Sequence, residues 1–354
     1  MTVSVLTRKG AGSTGALPVQ PRPVESRGGT ARATAAEPVL AIESLTIGTG
    51  AVDLVIDVSF QVAPGETLCL VGESGCGKSL TCLAAMGLLA EPVRRRAGSV
   101  RLAGTELTSL GDRRLREIRG RDMAMIFQDP VASLNPVQRV GRQVAEALVV
   151  HEGLSMRSAM RRAIELLDRV GIARPDERAN AYPHQLSGGM CQRVMIAMAL
   201  ACRPKLIVAD EATTALDVTT QAQILKLMKT LQDETGTAMI FVTHDLSVVA
   251  EIADRVAVMY SGRIVETGPV DALFDHPAHP YTRGLMDCRL HALSAANGRL
   301  AAIGGTVPRP AARPIGCAFR PRCPRADARC ETLPELRRLF GAQTAACHFP
   351  GAAR

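Results

Sequence analysis

Gly72-Glu73-Ser74-Gly75-Cys76-Gly77-Lys78-Ser79 is the stretch on which the fold turns. The apolar run Thr67 to Val71 precedes it and reads as a strand, and Leu80 to Leu89 follows it with helix-forming residues. G-x-x-x-x-G-K-S between a strand and a helix is a loop that wraps a polyphosphate. Its glycines let the backbone close around the charge, so that amide groups and a helix N-terminus face it. Lys78 then reaches the outer phosphates and Ser79 reaches a Mg²⁺ ion. A merely tight turn would not need this flanking context.

Further along, Leu206-Ile207-Val208-Ala209 is a second apolar strand, and it delivers Asp210 and Glu211 to its C-terminal end. Ligands of open parallel sheets gather at such ends. Asp210 is placed to hold Mg²⁺ through water, and Glu211 to polarise an attacking water. An acidic strand end that only caps a helix is the plainer reading of this stretch alone; together with the first loop it marks an NTPase. Strand and helix signals alternate through Ala222 to Leu231, Met239 to Val242 and Val256 to Tyr260, as in a parallel sheet with helical crossovers. Short β-type runs before the loop, Val39 to Ile42, Val52 to Ile56 and Val58 to Val62, predict a small antiparallel layer. Between Val140 and about Ala181 the pattern is polar and helical, with Ala163, Ile164, Leu167 and Val170 on one stripe. No internal repeat occurs.

Composition limits the alternatives. The chain has 354 residues, enough for one large core and an appendage; 47% are apolar and only 3% aromatic, with no Trp. The longest apolar run, Val194 to Cys202, falls far short of the roughly 18 to 20 residues of a membrane-spanning helix. Arg8 and Lys9 are not followed by an apolar segment, so no secretory signal is expected and the protein is read as cytoplasmic. Residues 1–38 lack periodicity and read as a disordered leader. The net charge is +8, but ten Arg against three acidic residues lie between His291 and Arg354. The excess is thus a feature of the tail, and no interleaving of basic and aromatic residues marks a strand-binding surface. Nucleic acid is not an expected partner.

Leu186-Ser187-Gly188-Gly189-Met190 narrows the class further, because it opens a helix whose N-terminus suits a γ-phosphate. It resembles the signature motif of ATP-binding-cassette (ABC) ATPases. In that family the motif, here Ser187, Gly188 and Gly189, completes the site of the opposite subunit in a head-to-tail dimer. Gln128 resembles the Q-loop glutamine, which senses Mg²⁺ and meets the membrane domains. Ala215-Leu216-Asp217 resembles the D-loop, which signals across the dimer, and His244 resembles the switch histidine of the γ-phosphate.

The resemblance implies a P-loop NTPase (RecA-like) fold with an antiparallel β subdomain, a helical insertion over about 137–190 and a small C-terminal extension. It places the ABC ATPase domain at 39–270 and the extension at 271–354. The words Phe127-Gln128-Asp129-Pro130, Ser133-Leu134-Asn135-Pro136, Met190 to Ala197 and His276-Pro277-Ala278-His279-Pro280-Tyr281-Thr282 are similar to the dipeptide, oligopeptide and nickel importer ATPases. The Met190 to Ala197 stretch is closer to the first of that system's two paralogues. The resemblance therefore implies a heterodimer with a second ABC ATPase, two membrane permeases, a solute-binding protein, and peripheral attachment to the cytoplasmic face of the inner membrane. A soluble ABC ATPase acting on nucleic acid or ribosomes is the alternative. Cys191, Ala212 and the lack of an aromatic near Gly48 to Val52 depart from the pattern. They bear on nucleotide affinity and base selectivity more than on the chemistry.

Of ten cysteines, Cys69, Cys76, Cys82, Cys191, Cys202 and Cys288 read as small apolar residues, whereas Cys317, Cys323, Cys330 and Cys347 cluster in the tail. In a reducing cytosol a metal or cluster is a better reading than disulfides. The spacing is not paired C-x-x-C, which weighs against a zinc ribbon. Four thiolates suit an iron–sulfur cluster whose charge Arg320, Arg322, Arg325 and Arg329 would ease. The peptide-importer resemblance implies a [4Fe-4S] cluster, with Zn²⁺ or unliganded thiols as alternatives.

Overall fold

A computed structural model describes residues 37–214, 216–293 and 303–351. All but the last two residues of the expected leader lie outside these, as does Ala215 of the D-loop match. Twelve strands are described: β1 (Leu40–Thr49), β2 (Val52–Val62), β3 (Thr67–Val71), β4 (Arg94–Leu102), β5 (Thr105–Glu106), β6 (Met123–Ile126), β7 (Leu206–Asp210), β8 (Ala238–Thr243), β9 (Arg255–Tyr260), β10 (Arg263–Pro269), β11 (Arg337–Arg338) and β12 (Thr344–Ala345). They form an antiparallel sheet ordered β2-β1-β4-β5 and a mixed sheet ordered β11-β12-β10-β9-β3-β8-β7-β6.

The strands β9, β3, β8, β7 and β6 run parallel. Every residue of β3 and β8 is buried, as strands covered on both faces must be. Alternation sends Cys69, Val71, Ile207, Ala209, Met239 and Phe241 into the core beneath the crossover helices. Leu68, Leu70, Leu206, Val208, Ile240 and Val242 enter a second core, shared with the antiparallel sheet and helix Lys78–Ala85. Because β3, β6, β7 and β8 run parallel, the segments leaving them all emerge at the same end of the sheet. The residues expected to handle phosphate lie at that end.

Several local expectations shift. The runs Val52 to Ile56 and Val58 to Val62 form one continuous strand, β2. Asp57 lies within it at φ +51 and its N–H donates to Thr46 Oγ1 at 3.2 Å, an excursion that a short polar residue tolerates. The helix expected through Leu89 stops at Ala85, capped by Met86 and followed by Gly87 at φ +64. In the helical insertion, Val140–Glu152 and Met156–Arg169 are separated by Gly153, and Ser155 accepts from the N–H of Ser158. Ala163, Leu167 and Val170 are buried as read; Ile164 is only half-buried, and Ala159 and Leu166 complete the stripe.

The tail folds back on the body of the molecule. Glu266 on β10 is fully buried and accepts the N–H groups of Ala278 and His279 and the Gln343 amide, each at 2.8 Å. One carboxylate thereby fixes the His276 to Thr282 segment and the strand β12 that pairs with β10. His279 is buried and its pKa is lowered to about 3 by that burial, so its ring is neutral and Nδ1 accepts from Tyr281 N–H at 3.0 Å. Among the described residues, no helix is long and apolar enough to cross a membrane.

Candidate nucleotide-binding site

The loop after β3 is shaped by its glycines. Gly72 has φ +151, and a Cβ there would lie 2.2 Å from the carbonyl oxygen of Met259. Gly77 has φ +105 and would drive a Cβ to 2.8 Å from Val55. Helix Lys78–Ala85 begins at Gly77 without a side-chain cap, leaving its leading amides directed into the loop. Lys78 is buried, and its ammonium donates to the carbonyls of Gly72 at 2.8 Å and Glu73 at 3.2 Å. The Lys78 ammonium is thus tied to the first two residues of the loop. Ser74, Gly75 and Cys76 complete the curve, with Gly75 at φ +77 and the Cys76 thiol 3.7 Å from the Lys78 nitrogen.

Two hydrogen-bonded groups lie at the ends of the neighbouring strands, one of them reaching the loop's helix. Ser79 Oγ donates to Asp210 Oδ1 at 2.9 Å, joining the loop's helix to the end of β7. Burial raises the Asp210 pKa, and its hydrogen bond from Ser79 opposes the rise. The next residue, Glu211, adopts φ +48, and its N–H donates to Val242 O at 3.0 Å on β8. This left-handed turn swings its carboxylate between two partners. Gln128 Nε2 donates to Oε2 at 2.8 Å, and His244 Nδ1 lies 3.4 Å from Oε1. Left-handed non-glycine residues concentrate where a strained backbone positions a functional group. A carboxylate oriented from both sides, next to a serine and an aspartate of hard-oxygen type, can bind a divalent cation and aim a water.

Ser187, Gly188 and Gly189 are not hydrogen-bonded to this group. Ser187 caps helix Gly188–Leu200 by accepting from Met190 N–H, and Gly189 lies against Thr220. Asp217 caps helix Val218–Thr235 and accepts from Thr220 N–H at 2.9 Å, which with the hydroxyl bond lowers its pKa. Gly188 has open space where a Cβ would go. Thr220 thus stands between Gly189 of the signature stretch and Asp217.

Sequence reasoning missed what holds the loop from the far end of the chain. Tyr281 and Arg322 both bond Glu73, and neither carries a local signature of such a contact. It also read Arg320, Arg322, Arg325 and Arg329 as easing the charge of a cluster; in the structure Arg322 pairs with Glu73, Arg320 with Glu331 and Arg329 with Asp327. Of the four arginines, Arg325 is the one whose charge lowers the Cys323 pKa, against a larger rise from burial. At the hairpin without an aromatic, Arg96 lies where a Gly48 side chain would project, and pairs with Asp53 at 2.7 Å. Cys191 is buried, with its thiol toward Pro183 O, and Ala212 is buried as well.

Burial raises the pKa of Cys317, and the charges of Cys330 and Cys323 raise it further. Cys347 is pushed up to about 11 by burial, with Cys317, Cys323 and Cys330 adding to the rise. The four thiols therefore occupy one neighbourhood. Among the described residues, however, no group of three or more His, Cys, Asp or Glu side chains is arranged to hold a metal ion.

The ABC transporter family model matches residues 55–214, and the oligopeptide/dipeptide transporter C-terminal region matches 265–330. A putative peptide import ATP-binding protein of Brucella abortus (strain 2308) is 49% identical over 314 residues, spanning 88% of this chain and 94% of that protein. The chain belongs to the ABC transporter ATP-binding proteins. It is similar also to the dipeptide transport ATP-binding protein DppD of Escherichia coli (strain K12), at 48% identity over 294 residues, 83% of this chain and 90% of that one. Among solved structures, the dimeric post-hydrolysis ATP-binding cassette MJ0796 with ADP and Pi superposes with a TM-score of 0.59 at 29% identity. That match covers 65% of this chain and 98% of MJ0796. This ABC protein is an ATPase with the P-loop NTPase fold, an antiparallel layer and a helical insertion.

Proposed function

We propose that this chain is the ATP-hydrolysing subunit of an importer that takes up peptides across the cell membrane. The observation that carries this reading is the pairing, in one chain, of an ABC region with an oligopeptide/dipeptide-type C-terminal region. Relatives named for peptide import align over nearly the whole length of both. In this reading residues 39–270 are the ATPase domain and 271–354 its extension. The chain is peripheral at the cytoplasmic face, pairs head to tail with a second ABC ATPase, and drives two membrane permeases served by a solute-binding protein.

The roles of the site residues follow from their chemistry. The loop Gly72 to Ser79 wraps the phosphates of ATP, and Lys78 exchanges its carbonyl partners for phosphate oxygens. Ser79 and Asp210, with Gln128, would hold Mg²⁺, which would supply Lewis-acid stabilisation of phosphate charge. Glu211, aimed by Gln128 and His244, accepts hydrogen bonding from the attacking water, and His244 also meets the γ-phosphate. Ser187, Gly188 and Gly189 serve the partner's ATP, and Asp217 lies at the same interface. Two ATP molecules close the pair, and closure pulls on the permeases. The test is purification of the chain from membranes, followed by reconstitution with its permeases. Co-purification of integral membrane proteins and ATPase stimulation by peptides are expected; recovery with ribosomes or nucleic acid, without peptide stimulation, overturns the reading.

The tail supports a finer proposal. Cys317, Cys323, Cys330 and Cys347 lie in one region of the tail, where Cys317 N–H donates to Cys330 O at 2.9 Å, and a [4Fe-4S] cluster would attach each thiolate to a different iron. Such a cluster would staple the four segments of the extension and would offset the cost of ionising buried thiols. Anaerobic purification should yield about four irons per chain and a broad visible absorption band. Replacing Cys330 by Ser should remove both; a protein with neither iron nor band at the outset removes the proposal.

A further inference from the structure

We propose that Arg322 and Tyr281, in the C-terminal extension, are positioning residues for ATP that act through Glu73 of the phosphate loop. The inference rests on the ATPase reading above and adds a regulatory contact to it. Glu73 is the second residue of the loop, and Lys78 is anchored in part on its carbonyl. Its carboxylate is a fixed negative charge in a loop built to receive a polyanion. Arg322 grips it in a bidentate pair at 2.6 and 2.9 Å. The guanidinium side chain is only 4% exposed and the Glu73 side chain 28%, so solvent screens the pair only in part.

The remaining contacts show a fixed geometry. Arg322 also donates to the carbonyls of Gly304 at 2.8 Å and Ile303 at 3.1 Å, and to Tyr260 Oη at 3.3 Å. Its charge lies 5.8 Å from the Tyr260 ring centroid and 5.9 Å from that of Phe319. The backbone of Glu73 is held separately: its N–H donates to Tyr281 Oη at 2.8 Å. Tyr281 is fully buried and packs on Tyr260 and Phe319, with ring centroids 4.6 and 5.4 Å away. One residue of the loop is therefore fixed by its side chain and by its amide, from two separate parts of the extension.

Two consequences follow. Arg322 cancels the Glu73 charge that would otherwise repel triphosphate, and Tyr281 holds the loop backbone in the form that presents Lys78. Arg322 directly precedes Cys323, so any rearrangement of the cysteine-bearing segment is carried to the loop through this contact. The extension thus bears on how tightly the chain binds ATP, in addition to whatever partner it contacts.

The test measures binding of a fluorescent ATP analogue to the full chain, at low and high salt, with KM and kcat from the assembled complex. Arg322→Met should weaken binding about tenfold and raise KM far more than it lowers kcat. The defect should shrink as salt screens the released Glu73 charge. Arg322→Lys should recover part of the loss, because it restores charge without the bidentate fork. Adding Glu73→Gln to Arg322→Met should bind more tightly than Arg322→Met alone, since the uncompensated charge is then gone. Tyr281→Phe should weaken binding severalfold with no salt dependence. If Arg322→Met lowers the unfolding temperature but the folded protein binds the analogue as the parent does, the proposal fails. It also fails if Glu73→Gln brings no recovery in the double variant. Should Arg322→Met not fold, the Arg322→Lys and Tyr281→Phe measurements decide, and parental affinity in both overturns the idea. Lys78→Ala is the separate control: if it still binds the analogue normally, the assignment of this loop to ATP is what fails.

Discussion

Glu211→Gln should abolish most turnover while leaving ATP bound. The substitution keeps the size of the side chain, and Glu211 contributes no hydrogen-bonding side chain to Lys78 or to the loop Gly72 to Ser79. What it removes is the one carboxylate held between Gln128 at 2.8 Å and His244 at 3.4 Å. A positioned general base contributes about 10²–10⁴ in rate, so ATPase activity of the reconstituted complex should fall by at least about a hundredfold. Affinity for ATP should stay within a few-fold of the parent. Because ATP then persists, the variant should accumulate as the closed ATPase pair, detectable by size-exclusion chromatography with ATP and absent with ADP. Full turnover by Glu211→Gln would remove the assignment of Glu211 and pass the role to another group. The left-handed backbone at Glu211 adds a second expectation. Since this turn aims the carboxylate, its position depends on the hydrogen bond from its N–H to Val242 on β8 as much as on its side-chain partners.

The phosphate loop and the acidic end of β7 were legible because their chemistry is local. A strand, a turn and a helix follow one another within a few residues, and each leaves its mark on the sequence. Gln128 and His244 were legible only through family resemblance, since a polar residue after a strand has no distinctive local pattern. Their convergence on Glu211 depends on strand order, β8 and β6 both flanking β7, which no local periodicity encodes. The continuous β2 was obscured by Asp57, whose polarity reads as a break although its backbone tolerates the left-handed excursion. Least legible was the Arg322 contact. It joins residues 249 positions apart in the sequence, and a basic residue beside a cysteine has a nearer explanation. Sequence pattern registers what neighbours in the chain require of each other; it is silent on which distant charge a folded surface will bring to a loop. The same limit hides Arg96 over the Gly48 hairpin, where attention to a missing aromatic gave no reason to look along β4.

The second large effect is expected from Gly72→Ala, which should eliminate nucleotide binding in a protein that otherwise folds. Two independent obstacles meet at this position. At φ +151 the backbone lies in a region that residues with a Cβ rarely adopt, and such strain costs on the order of 1–3 kcal/mol. The Cβ would also stand 2.2 Å from Met259 O and 2.9 Å from the Cys76 sulfur. The first of these is main chain in β9, the central sheet's own framework, and has no freedom to retreat. The loop must therefore move instead. Gly72 O is the nearer of the two carbonyls that hold Lys78, so a displaced loop misplaces the ammonium together with the amides that would face phosphate. Binding of ATP should fall by at least about a hundredfold, corresponding to roughly 2.7 kcal/mol. The parallel sheet, buried on both faces, should keep most of its stability, with unfolding temperature lowered by only several degrees. Gly75→Ala is the informative comparison. Gly75 also has a positive φ, +77, but open space where its Cβ would go, so it bears conformational strain without the collision. Its affinity should lie between those of the parent and Gly72→Ala. Equal losses at both positions would show that backbone strain alone governs the loop, and that the contact with Met259 does not.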